Sequence, residues 1–199
     1  MLRWTATAFI VALFVLNLAL PNTSIGRRGV DPEPRRDVPG SFGENGTPLP
    51  KFHLVNINGD VIKSTELLGH RVLLIFERSV DWCPFTKARL VELRQALEEQ
   101  DQLRVVWVMA DNQINEKSRT FIDEYGLRDR IFFASDSNSA LFSRFGVEIQ
   151  EPDETEQGLP YPTTLLVDRE GIIRFADVRE DFQNWLAPET ILAELDKIP

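Results

Sequence analysis

The sequence contains a single cysteine, Cys83, among 199 residues. One thiol excludes a disulfide within the chain, so no disulfide framework can stabilise the fold or indicate the compartment. Histidine is almost as scarce, because only His53 and His70 are present and they lie far apart in the sequence. No His, Asp or Glu spacing resembles a metal site, so we expect neither a metal nor another cofactor.

Positive charge is also in short supply. The chain has 22 Lys and Arg residues against 31 Asp and Glu residues, which gives a net charge of -9 and a pI near 4.8. Binding to a phosphate backbone requires the opposite sign of charge. Nucleic acid is therefore not an expected partner.

The start of the chain is apolar. Residues 4–20 carry no charge and follow Arg3, a pattern typical of a membrane-spanning helix or of a secretory signal. A signal cleavage site requires small residues one and three positions before the cut, and this spacing is not found at the end of the apolar stretch. The sequence therefore favours an uncleaved single-pass anchor in the membrane. The alternative is a secreted or periplasmic domain released after signal cleavage. We divide the chain into this signal anchor or signal peptide (1–20), a flexible tether rich in Pro and Gly (21–47) and one folded domain (48–199).

Within the domain, apolar runs and turn residues predict alternating strands and helices. The predicted strands are "KFHLV", "RVLLIF", "LRVVWVMA", "RIFFAS", "TTLLVD" and "GIIRFADV". Helices are predicted from Pro84 through Leu97, after Asn112 as far as Gly126, over "SALFSRFG", and from Pro188 to the end of the chain. The last two strands are joined by a tight link and should form a hairpin. Parallel crossovers followed by a hairpin predict an α/β fold with a mixed central sheet and helices on both faces.

Two stretches carry a family resemblance. "LLGHRVLLIFERSVDWCPFTKARLVELRQ" and "YPTTLLVDREGIIRFADV" are similar to the alkyl hydroperoxide reductase/thiol-specific antioxidant (AhpC/TSA, peroxiredoxin-like) proteins, which have a thioredoxin-like fold. The resemblance extends over roughly residues 45–198. It implies a redox-active cysteine at the first strand-to-helix junction, where Cys83 stands.

Cys83 precedes the helix that Pro84 begins. The N-terminus of a helix carries unpaired N–H groups and the positive end of the dipole, both of which favour a thiolate. We expect the N–H groups of Phe85 and Thr86, and the Thr86 hydroxyl, to reach the sulfur. Lys87 and Arg89 add positive potential, although each is expected to face solvent. The alternative is that Cys83 is an unreactive buried residue, a common position for a free cysteine.

The position of Thr86 determines which redox cycle is open to the chain. Related redoxins often carry Trp-Cys-Pro-Phe-Cys-Lys, and here Thr86 replaces the second cysteine of that motif. Oxidised Cys83 would therefore need an external thiol, such as glutathione or a thioredoxin-like protein, to reduce it.

Two departures from the family pattern concern the peroxide site. Peroxiredoxins resemble one another in a Pro-x-x-x-Thr-x-x-Cys motif, but Phe76 and Val80 stand at the proline and threonine positions. The arginine that they carry at the start of a late strand aligns with Pro162. Pro162, after Tyr161, instead resembles the cis proline of thioredoxins, which lines the active site. We expect Tyr161, Pro162 and Trp82 to line the site together with Pro84 and Thr86.

The sequence thus predicts a single-cysteine antioxidant oxidoreductase that acts on a peroxide or a disulfide. Two alternatives remain open. One is a thiol-disulfide exchange protein, and the other is a catalytically silent thioredoxin-fold domain that binds a partner.

Overall fold

A computed structural model describes residues 46–98, 100, 102–111, 114–136 and 138–199. Residues 4–20, on which the predicted membrane anchor was based, lie outside this part of the chain, as does most of the predicted tether. None of the helices in the described ranges combines the length and the apolar character needed to cross a membrane. The predicted single-pass membrane location is corrected on this finding.

The element order agrees closely with the prediction. The strands are β1 (Thr47–Pro48), β2 (His53–Val55), β3 (Val61–Lys63), β4 (Arg71–Glu77), β5 (Leu103–Met109), β6 (Ile131–Ser135), β7 (Thr163–Val167) and β8 (Ile172–Val178). The helices are α1 (Pro84–Ala96), α2 (Glu116–Glu124), α3 (Ala140–Arg144) and α4 (Pro188–Leu195), and a short 3-10 helix covers Ser64–Leu67. The strands β1 and β3 were not predicted, because each has only two or three residues and neither lies in an apolar run that was recognised, as "KFHLV" was for β2.

Six strands form the central sheet in the order β1-β8-β7-β4-β5-β6. β4 pairs in parallel with β5, and β5 in parallel with β6, whereas β7 runs antiparallel to both β4 and β8. β2 and β3 form a separate antiparallel pair. The predicted mixed sheet and the predicted terminal hairpin are confirmed.

Side chains of β4 alternate between the two faces of the sheet, and each face has its own apolar core. Leu73 and Ile75 pack in one cluster with residues of α1, α2 and α4. Val72, Leu74 and Phe76 pack on the other face, where α3 and the β2–β3 pair contribute to the cluster. Helices therefore cover both faces of the sheet, as predicted.

A buried carboxylate holds the turn of the β7–β8 hairpin. Asp168 is fully buried, and its Oδ1 accepts hydrogen bonds from the N–H groups of Glu170 (3.0 Å) and Ile172 (2.8 Å). Arg174 donates to Oδ2 at 2.5 Å. Gly171 has φ +78°, a left-handed conformation that suits glycine, and a Cβ there would lie 2.8 Å from the Leu68 side chain. This turn sets the register of β7, which contributes to the candidate site.

Candidate active site

Cys83 occupies the N-cap position of α1, as predicted. Its backbone is extended, with φ -92° and ψ 110°, and Pro84 follows at the first helical position. The Cys83 N–H donates to the carbonyl oxygen of Ser79 (3.3 Å), and its own carbonyl accepts the N–H of Lys87 (3.3 Å). The cysteine is buried, with only 3% of its surface exposed. The sequence order strand, loop, cysteine, helix thus places the thiol at the carboxyl edge of the parallel strands.

The predicted hydrogen bonds to the sulfur are not formed. The Cys83 side chain makes no capping hydrogen bond, so the N–H groups of Phe85 and Thr86 do not bind it in this structure. The Thr86 side chain is almost fully buried, and its hydroxyl donates to Oε2 of Glu77 at 3.0 Å. The hydroxyl is directed to the end of β4 because a buried carboxylate there accepts its hydrogen bond.

Arg89 was expected to face solvent, and that expectation is wrong. Only 3% of its surface is exposed. One guanidinium nitrogen, Nη1, forms an ion pair with Glu77, and Nη2 donates to the Thr164 hydroxyl on β7. The spacing could have revealed this burial, since Arg89 lies three residues after Thr86 and four before Leu93, on the face of α1 that packs on the sheet.

Lys87 is half-buried. Its Nζ donates to the carbonyl oxygen of Asp81 at 3.0 Å and lies 5.6 Å from the centre of the Phe121 ring. The Asp81 carboxylate in turn accepts from Asn115 at 2.7 Å and lies 3.7 Å from the exposed Lys117 ammonium. Lys87 therefore ties α1 to the loop in front of it.

Aromatic and charged side chains surround the loop that leads into Cys83. Trp82 is 52% exposed, directly before the cysteine. The Arg78 guanidinium carbon lies 4.1 Å from the centre of the Phe182 ring, and the same ring meets Phe85 edge-on at 5.4 Å. Arg78 also pairs with Glu156 at 2.5 Å. The segment before β7 and the segment after β8 thus both approach the loop of the thiol.

A further carboxyl group, Asp111, touches this loop from the end of β5. Burial raises the pKa of the Asp111 carboxyl above its ordinary value, and the neighbouring Asp81 carboxylate adds to the rise. Hydrogen bonds to Ser79 and Trp82 act in the opposite direction. Within the described ranges, its Oδ2 is buried and has no hydrogen-bond partner. No sequence pattern indicated a place for this residue at the site, because it lies 28 positions from Cys83 along the chain.

Tyr161 and Pro162 precede β7 at the same edge of the sheet. Thr163 pairs with Phe76, so Pro162 lies beside the end of β4. Pro162 is buried, and its carbonyl oxygen accepts the N–H of Arg179 at 2.9 Å, while the half-buried Tyr161 donates its N–H to Val147. The predicted cis bond is not present, because every described peptide bond is trans.

The positions where peroxiredoxins carry the proline and the threonine of their motif are both apolar in this chain, so the threonine donor is missing. Phe76 and Val80 are both fully buried, and both belong to the hydrophobic clusters. Their side chains have no hydrogen-bonding atoms. Within the described ranges, no group of His, Cys, Asp and Glu is arranged to hold a metal ion.

This arrangement of a buried thiol at the N-terminus of the first long helix, on a mixed sheet, can be compared with known proteins. The AhpC/TSA family model matches residues 45–176. The chain belongs to the AhpC/TSA family. None of the curated proteins matches the sequence.

Solved structures share the thioredoxin-like fold of this AhpC/TSA chain. A peroxiredoxin-like protein from Aquifex aeolicus has a TM-score of 0.66 at 14% identity, covering 77% of this chain and 86% of its own. A thiol peroxidase from Chromobacterium violaceum has a TM-score of 0.65 at 20% identity, with 79% and 89% covered. A secreted disulfide oxidoreductase from Mycobacterium tuberculosis has a TM-score of 0.56 at 16% identity, with 74% and 96% covered. At these identities the likeness concerns the fold.

Proposed function

We propose that this protein is a thiol-based antioxidant oxidoreductase in which Cys83 is the only redox cysteine and a peroxide or a related oxidant is the substrate. The observation that carries the proposal is the place of Cys83 at the N-cap of α1 in a chain of the AhpC/TSA family. The positive end of the helix dipole favours the thiolate, which is the nucleophilic form. Family membership supports an oxidoreductase, and the composition supports a single-cysteine cycle.

The proposed cycle has three steps. The Cys83 thiolate attacks one peroxide oxygen and the O–O bond breaks, which leaves a sulfenic acid and, after the second oxygen takes a proton, water or an alcohol. An external thiol then displaces water from the sulfenic acid and forms a mixed disulfide. A second external thiol then attacks the external sulfur of this mixed disulfide. Cys83 is released as a thiolate, and the two external thiols leave joined as a disulfide. Both reducing equivalents come from outside because the chain has no second cysteine.

The burial of Cys83 bears on the size of the oxidant. With 3% of the residue exposed, a small hydroperoxide can approach the sulfur more readily than a disulfide on a folded protein. This favours peroxide reduction over exchange with protein disulfides. We assign the role of reductant to glutathione or to a thioredoxin-like protein, and Trp82, Pro84, Thr86, Tyr161 and Pro162 to the lining of the site.

A second candidate is a thiol-disulfide exchange protein or a redox-silent binding domain. The specific observation in its favour is the absence of two donors, because Val80 stands at the threonine position and Pro162 at the arginine position. Hydrogen-bond donors that are held in place to stabilise the charge developing in the transition state account for much of the rate enhancement in such reactions. A peroxidase without them should be slow compared with family members that have them.

The experiment is a peroxide-consumption assay on the full chain with glutathione or dithiothreitol. We expect the wild type to consume peroxide only when a thiol is supplied, and Cys83→Ser to lose this turnover while keeping the wild-type unfolding midpoint, because serine lacks an easily formed anion. Equal consumption by both proteins would refute the proposal. In that event, trapping of a mixed disulfide at Cys83 would identify the exchange reaction, and its absence the binding domain.

A further inference from the structure

Four buried polar side chains lie beneath the first two turns of α1, and we call them the Glu77 cluster. Its members are Glu77 at the end of β4, Thr86 and Arg89 on α1, and Thr164 on β7. Each has 4% or less of its surface exposed. All come from the three elements that meet at the carboxyl edge of β4, where Cys83 caps α1.

Arg89 connects the members of the cluster. It bonds Oε1 of Glu77 through Nη1 and the Thr164 hydroxyl through Nη2, while Oε2 of Glu77 accepts from Thr86 at 3.0 Å. The helix is thus attached at two residues, Thr86 and Arg89, to two different strands. A planar guanidinium can donate to two separated partners from two different nitrogens, as here, whereas an ammonium group has all its donors on a single nitrogen.

Stability alone does not account for such a cluster. Both charges are taken out of water, and a buried ion pair typically contributes no more than well-packed apolar residues of the same volume. The surroundings are apolar, since the Arg89 guanidinium carbon lies 5.7 Å from the centre of the buried Trp107 ring and Nε has no hydrogen-bond partner among the described residues. The pair fixes the position of α1 relative to β4 and β7 through directional hydrogen bonds. Apolar side chains in the same place would not do this.

We infer that Glu77 and Arg89 are positioning residues for Cys83, which hold the first turn of α1 on β4 and β7 so that the thiol stays at the helix terminus and remains covered. The inference rests on the proposed function of Cys83. Cys83 precedes Thr86 by three residues, so a shift of Thr86 relative to Glu77 moves the N-cap with it. Glu77 also accepts the hydrogen bond of the Thr86 hydroxyl, so this hydroxyl does not donate to the Cys83 sulfur.

The test replaces the pair with apolar residues in the full chain, as Glu77→Leu/Arg89→Met. Because the two charges are removed together, we expect the unfolding midpoint to stay near that of the wild type. We expect peroxide turnover to fall by roughly tenfold to a hundredfold, as a displacement of about 1 Å at a reacting group does. The plateau rate of Cys83 alkylation by iodoacetamide at alkaline pH, which measures access to the sulfur, should rise several-fold.

Arg89→Lys provides a second variant in case the double variant does not fold. It keeps the charge but has donors on one nitrogen only, which suits the separated Glu77 and Thr164 oxygens less well, so we expect the same two changes to a smaller degree. Arg128→Met is the matched control, because Arg128 pairs with Asp123 at the surface, and both rates should be unchanged. Wild-type turnover and wild-type alkylation in folded Glu77→Leu/Arg89→Met, or in Arg89→Lys if only that folds, would overturn the inference. If the wild type itself shows no turnover, the proposed function fails, but the alkylation rates still decide whether the pair covers Cys83.

Discussion

The hairpin turn at Asp168 offers a prediction whose size follows from the contacts. Asp168→Ala removes a fully buried carboxylate that accepts two backbone N–H groups and one Arg174 nitrogen. A hydrogen bond to a charged group contributes about 1.5–3 kcal/mol. The Arg174 side chain is 43% exposed, so its ion pair is counted at no more than about 1 kcal/mol. Because Glu170 is an exposed residue, water can replace the carboxylate at its N–H, and we expect a total loss of about 3 kcal/mol in the free energy of unfolding.

The pH dependence of this loss has a definite sign. Burial acts to raise the pKa of Asp168, but the Ile172 N–H, the Arg174 guanidinium and the Glu170 N–H outweigh it and lower the pKa below its ordinary value. A lowered pKa in the folded state stabilises the protein above the unfolded pKa of about 3.9, and this stabilisation disappears as the pH falls through the folded value. The difference between the wild type and Asp168→Ala should therefore be full at pH 7 and shrink in acid.

Urea unfolding followed by circular dichroism at several pH values measures both quantities. Arg174→Ala is the control, since it removes only the surface ion pair and should cost no more than about 1 kcal/mol. A loss below about 1 kcal/mol for Asp168→Ala at pH 7, where the carboxylate accepts three hydrogen bonds, would refute the reasoning. A loss that stays constant down to the lowest pH at which both proteins fold would refute its electrostatic part.

Three further predictions concern the site and the domain boundary. Thr86→Cys should allow an internal disulfide with Cys83, because the N-cap and the third helical residue lie close enough for the bond, and two free thiols after oxidation would show otherwise. Asp111→Asn should stabilise the protein at neutral pH. Because the pKa of Asp111 is raised in the folded state, its ionisation destabilises the protein as the pH rises through that pKa. An unfolding midpoint equal to or below that of the wild type at pH 7 would contradict this. Removal of residues 1–40 should leave unfolding cooperative, and a broad transition would place the domain boundary earlier in the chain.

Most of the fold could be predicted because the central strands lie between two apolar cores. Strands covered on both faces appear as continuous apolar runs, and β4 and β5 were found from such runs with nearly the observed ends. Pro84 and Pro188 marked the starts of α1 and α4 because proline suits the first helical turn. The position of Cys83 at a helix cap followed from the same signal.

The contacts within the site could not be predicted in the same way. Glu77 and Arg89 are 12 residues apart, and Arg89 and Thr164 are 75 apart, so only the packing of three elements brings them together. The spacing of Arg89 could have shown that it lies on the buried face of α1, but the partners of its charge are not visible in the local sequence. The isomer of the bond before Pro162 depends on the surrounding fold rather than on the Tyr-Pro pair itself.

The exposure of Trp82 provides an optical signal at the candidate site. Among the tryptophans of the described part of the chain, Trp107 and Trp185 are buried, whereas Trp82 is 52% exposed and is bonded directly to Cys83. Its emission should therefore lie at longer wavelength than that of the other two, and only its emission can be quenched readily by a solute in the solvent. Addition of an oxygen atom or a thiol to Cys83 changes the immediate surroundings of this indole. Stopped-flow fluorescence can thus follow each step at the thiol in the unlabelled protein, without a coupled enzyme.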